Sequence, residues 1–193
     1  MSFGKHQIRE EDKMPTKANI IVKYAQSDGY GKVNIICRNY SNFLCLVDVH
    51  EKRIKREIIE EKLFNRAEER GDLGVKVQTS RSVASPVENE VISDCELDEA
   101  IKSGKIPAGL IVGTDDDETH TLEVLTLKVM RDDYEEFTKN INALQKKDKK
   151  LFMVYLESDK ELGEIADDEG ILYHSMVQKI AKVKHNLAYQ MGL

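Results

Sequence analysis

The chain has 193 residues, of which 33% are charged and 40% hydrophobic, with no Trp and only 3 Pro. That balance points to Leu, Ile and Val packed between helices and away from a loop-rich sheet protein. No apolar run approaches the roughly 20 residues of a membrane span, and Lys5, His6 and Arg9 give the start no signal-peptide character, so a cytoplasmic protein is expected.

Cys37, Cys45 and Cys95 are odd in number and lack CxxC spacing, which argues against a disulfide framework and leaves buried free thiols as the expectation. Cys37, Cys45 and His50 match no zinc-ligand pattern, so no metal is expected. The net charge of −6 is unevenly spread: residues 1–87 sum to +4, 88–169 to −13 and 170–193 to +3. A nucleic-acid partner is therefore not excluded, but its contact must be local and salt-sensitive.

In chain order, residues 1–18 are polar. "NIIVKYA" and "KVNIICR" are β-branched runs around the turn signal "QSDGYG", and they predict a small β-hairpin pairing Ile20–Tyr24 with Val33–Cys37. From Ser41 to Arg70, Val47, Ile54, Ile58 and Leu63 fall near helical spacing within alternating charge, predicting one long helix ended by Gly71. Its Lys52, Arg53, Lys55 and Arg56 have the look of a phosphate-binding patch, although the interleaved glutamates favour a solvated structural face.

A polar arm follows, and then a helix start with Ser85 as N-cap, Pro86 at the first position and Glu88 closing a capping box, running to about Lys102. "GKIPAGLIVGTDDDETH" interrupts it; the acids Asp115, Asp116, Asp117 and Glu118 lack EF-hand register and suit the start of a helix. Leu122, Leu125, Val129, Phe137, Ile141 and Leu144 then recur at helical spacing, with a strand reading of "TLEVLTLKV" open. Leu151, Val154 and Tyr155 predict a short helix after the basic "KKDKK".

Near the end, Ser158 to Glu161 spell S-x-x-E, predicting a helix from Asp159 that closes at Gly170. A second helix starts near Leu172, with Met176, Ile180, Val183 and Leu187 as its apolar stripe. Two helices joined by a short Gly-containing turn have the helix-turn-helix plan, with an ordinary αα-hairpin as the alternative. Residues 170–193 hold 3 lysines and no acid, as a helix entering a phosphate-lined groove requires. The fold class expected is mainly α, with a C-terminal helix-turn-helix module and a small N-terminal β-hairpin. It divides into an N-terminal segment 1–103, a linker 104–118 and a C-terminal domain 119–193.

The stretch "LQKKDKKLFMVYLESDKELGEIADDEGILYHSMVQKIAKVKHNL" resembles the fourth conserved region of bacterial sigma factors, over about residues 138–190. Upstream, "LFNRAEERGDLGVKVQTSRSVASPVENEVI" resembles the segment preceding that module in ArpU-type late-gene regulators of phages and mobile elements. The resemblance implies sequence-specific promoter binding without catalysis. It makes Ile165, Ala166, Gly170, Ile171 and Ile180 scaffold, places Tyr173, His174 and Gln178 where bases are read, and places Ser175 and Lys179 toward phosphates. Lys179, Lys182 and Lys184 supply compensating charge.

The chain departs from the pattern at Gly163, Glu169 and Met176. It also lacks an Arg on the recognition helix, which leaves Gln178 to pair an adenine edge. Double-stranded DNA is the expected partner, RNA polymerase a second, and a homodimer or the Lys52–Arg56 helix is expected to supplement affinity. The alternatives are a polymerase- or sigma-binding protein without its own DNA specificity, acting through the acidic first helix, and a terminase small subunit. No cofactor or enzyme activity is expected, because no P-loop, G-x-S-x-G, H-E-x-x-H or dinucleotide fingerprint is present.

Overall fold

The computed structural model describes residues 20–69, 86–107, 109–158 and 160–193, with the side chains of 66–69 and 86–94 left aside. The expectations for residues 1–18, Gly71, the polar arm, Ser85 and Asp159, and for the Glu88 side chain, lie outside the described residues. The chain is mainly helical: α1 (Ile20–Gln26), α2 (Gly29–Arg38), a 3-10 turn (Tyr40–Asn42), α3 (Phe43–Glu69), α4 (Pro86–Ser103), α5 (Asp117–Ala143), α6 (Lys146–Glu157), α7 (Leu162–Asp168) and α8 (Tyr173–Gln190). No helix among the described residues is long and apolar enough to cross a membrane.

The expected β-hairpin is replaced by α1 and α2. Its supposed turn residue, Asp28, is the N-cap of α2, and its carboxylate accepts from the Gly31 N–H at 2.7 Å. Burial follows helical spacing: Ile21 and Tyr24 are enclosed while Val22, which shares a strand face with Ile20 and Tyr24, is exposed. Val33, Ile36 and Cys37 form the corresponding face of α2. Packing has overridden the β-branched preference of these short runs.

α3 and α5 lie against each other at the centre, with α4 and α1 beside α5 and α2 against α8. α3 buries Phe43, Val47, Ile54 and Ile58, but Leu63 is 55% exposed. On α5 the core face is Val124, Leu127, Met130, Phe137 and Ile141, so Leu122, Leu125 and Val129 of the expected stripe face outward. The seam is ionic at its edges. Arg53 bonds Glu57 and the buried Glu123, Lys55 bonds Glu51 and Asp98, and Arg131 reaches Asp48 and Glu51.

His120 sits in the same seam, 3.0 Å from Glu61. The Tyr24 hydroxyl, driven above its ordinary range by burial and then by Asp133, donates to that carboxylate at 2.9 Å. Contacts thus cross the 104–118 stretch, where Lys62 and Asn65 of α3 also donate to the Gly109 and Gly113 carbonyls at 3.2 and 3.0 Å.

An aromatic chain fixes α6. Phe43 stacks on Tyr134 at 5.3 Å, and Phe137 meets both Tyr40 and Phe152 at 6.1 and 6.3 Å. The "KKDKK" run forms the first turns of α6 instead of preceding it. Cys37 is buried, its thiol pushed up to about 12 by desolvation against a smaller opposing pull from Lys184. Cys45 and Cys95 are exposed free thiols.

Candidate nucleic-acid interface

α7 starts later than expected. Ser158 closes α6, its N–H bonding the Val154 carbonyl at 3.1 Å, and its Oγ accepts from the Lys160 N–H at 3.0 Å in a local turn instead of capping the next helix. Glu161 takes the N-cap instead and shares a reciprocal capping box with Glu164, whose side chain accepts from the Glu161 N–H at 3.2 Å. The helix ends in a Schellman turn. The Ile171 N–H bonds the Ala166 carbonyl at 2.8 Å, the Gly170 N–H bonds the Asp167 carbonyl at 3.1 Å, and Gly170 takes φ +62°. Residues 169–172 therefore join α7 to α8, and Ile165 and Ala166 are buried where the two helices meet.

Gly163 lies in the first turn of α7, and a Cβ there would stand 4.0 Å from the Tyr173 ring, an ordinary contact. Gly163→Ala is expected to stabilise the protein by about 0.5 kcal/mol through lower backbone entropy in the unfolded chain. Thermal melting checks this; a lower midpoint would mean that the added methyl displaces Tyr173.

α8 buries Met176, Ile180, Val183 and Leu187, the expected stripe, together with Ala188. On the opposite side of a 3.6-residue helix fall His174, Gln178, Lys182, His185 and Tyr189, all exposed, with Ser175 and Lys179 on the flank. Tyr173 is 61% exposed and Leu172, just before it, 80%. The Gln178 amide donates to His174 Nε2 at 2.9 Å, so these two side chains present one joined polar edge. His185 meets the Tyr30 ring edge-on at 4.3 Å.

Lys184 does not belong to this face. It is 8% exposed, and its ammonium donates to Asn34 Oδ1 at 3.0 Å and to the Tyr155 hydroxyl at 2.8 Å, lying over the Tyr155 ring. Its position brings the side chain between α2 and α6, where it ties three helices together instead of facing solvent. No carboxylate pairs with it among the described residues. Sequence periodicity places Lys184 beside the apolar stripe, but its two oxygen partners come from distant parts of the chain.

The carboxylates of α7 and its turn, Glu164, Asp167, Asp168 and Glu169, are exposed. Lys160 spans to Asp168 at 2.5 Å, and that hydrogen bond holds the Lys160 ammonium above its ordinary pKa. The basic run on α3 is partly occupied: Arg53 and Lys55 are held in the ion pairs of the central seam, while Lys52 and Arg56 are exposed. Among the described residues no group of His, Cys, Asp and Glu is arranged to hold a metal ion. No family model matches this chain, and no curated protein or solved structure matches it.

Proposed function

We propose that the chain is a DNA-binding transcription regulator of the sigma-like, helix-turn-helix kind, serving a prophage or other mobile element. The observation that carries this reading is the α7–turn–α8 pair. Its tight Gly170 turn leaves an outward α8 face free of carboxylates and bearing Lys179 and Lys182. In this reading α8 enters a major groove about 12 Å wide, the His174–Gln178 edge meets bases, and Ser175, Lys179 and Lys182 meet phosphates. Tyr173, exposed at the start of α8, takes the base-reading role that the sequence resemblance implies for it. The source in a mobile element rests on the sequence resemblance alone.

A second reading is favoured by the exposed carboxylates Glu164, Asp167 and Asp168, which suit a basic protein surface such as one on RNA polymerase. The test is binding of the folded protein to a fluorescent random-sequence duplex as salt rises from about 50 to 200 mM. The expected result is a linear fall of log K with log salt, at about −0.9 per phosphate contacted. Absence of binding at the lowest salt would reject the DNA reading and leave the acidic surface as the site to test.

A further inference from the structure

We propose that Lys146, Lys147, Lys149 and Lys150, on the first turns of α6, form a backbone anchor that grips DNA phosphates beside the α7–α8 turn; this rests on the DNA-binding reading of α8. Three observations converge on it.

The first is position. Lys150 Nζ stands 3.9 Å from Glu169 Oε1, and Glu169 is the C-cap of α7, three residues before the cap of α8. Lys150 is therefore beside the α7–α8 turn, and α6 packs on both α7 and α8. Leu151, Phe152 and Leu156 are buried beneath it, so the lysines ride on a fixed support.

The second is freedom. Lys146 and Lys147 are exposed, and no ion pair engages them among the described residues. Lys149 donates only to the neutral Asn142 Oδ1, at 2.9 Å, and the Lys150 side chain is 75% exposed with its carboxylate at the limit of pairing distance. On α3, by contrast, Arg53 and Lys55 are each engaged with two carboxylates.

The third is charge complementarity. Once Lys184 is buried, α8 offers the groove only Lys179 and Lys182, while exposed Asp167, Asp168 and Glu169 stand at the adjoining turn. Two lysines give a small release of counterions, and the neighbouring acids oppose it. Four lysines on the first turns of α6, with the exposed Asp148 among them, leave a net of +3 that offsets the acids of the turn where the backbone must approach. Contacts of this kind set register and orientation without reading sequence, and base choice stays with α8.

The experiment compares salt titrations on a random-sequence duplex for the intact protein, for K146Q/K147Q/K149Q/K150Q, for the milder K146Q/K147Q, and for K52Q/R56Q on α3. All substituted positions other than the half-buried Lys149 are exposed, and circular dichroism checks that each variant is folded. The α6 quadruple variant is expected to lose about two to four units of salt slope and about ten- to a hundredfold in affinity, with the double variant intermediate; an equal loss in the α3 variant alone, with the quadruple variant unaffected, would move the phosphate grip to Lys52 and Arg56 and overturn the α6 anchor. If the quadruple variant keeps the parental slope while reversal of Lys179 and Lys182 abolishes binding, the anchor is wrong and the DNA reading stands. If the intact protein binds no duplex at low salt, both fall together.

Discussion

Reversing Lys179 and Lys182 together, as K179E/K182E, is expected to lower DNA affinity by roughly a hundredfold or more near 0.1 M salt. Each substitution removes a cation from the α8 surface and puts a carboxylate in front of a phosphate, so loss of attraction and new repulsion add. Both side chains are exposed and neither takes part in an ion pair among the described residues, so the melting temperature is expected to stay put. The salt slope should become shallower by about two. Anisotropy titrations at several salt concentrations measure affinity and slope together. A variant that binds as the parent does would take α8 out of the interface, whatever else on the surface holds DNA.

Lys184 gives the second large effect, and it concerns stability. Lys184→Ala is expected to destabilise the protein by about 2–4 kcal/mol, because Asn34 Oδ1 and the Tyr155 hydroxyl lose a buried partner and a void replaces the side chain. Lys184→Met fills the space but leaves the same two oxygens without their donor, and is expected to cost about 1–2 kcal/mol, less than the Ala variant. Denaturant titration separates the two, and DNA binding by the Met variant should be close to that of the parent. A Met variant that is stable yet fails to bind DNA would return this lysine to the interface.

The contrast between these lysines marks what could be read from the chain alone. The long helices were legible because their cues are local and repeated: helical spacing with mixed charge for α3, acids at the start of α5, and the Met176-to-Leu187 stripe with Gly170 before it for α8. α1 and α2 were not, because a β-branched run of five residues looks alike in strand and helix. Only the Asp28 cap, whose Ser-Asp-Gly context also suits a turn, distinguishes them.

The outward set of Leu122, Leu125 and Val129 has a similar origin. Spacing identifies apolar residues that share a face, but the neighbours of α5 decide which face is covered, and they come from α1, α3, α4 and α8. In the candidate site, Tyr173, His174, Ser175, Gln178, Lys179 and Lys182 are exposed or half-buried at the expected end of α8. Lys184 was misplaced for want of its partners, Asn34 and Tyr155. The lysines of α6 were visible as a basic run, but their closeness to Glu169 depends on how α6 folds back onto the turn.

α8 is seated along its whole inner side. Met176 and Ile180 anchor its first turns and Val183, Lys184, Leu187 and Ala188 its later ones, while Leu172, Tyr173 and His174 project at its start. From His174 to His185 the helix rises about 16 Å. The outward side chains therefore keep a fixed spacing over that length. The side chains suited to meeting a groove are aimed from well behind them, by a buried ammonium that never reaches the surface.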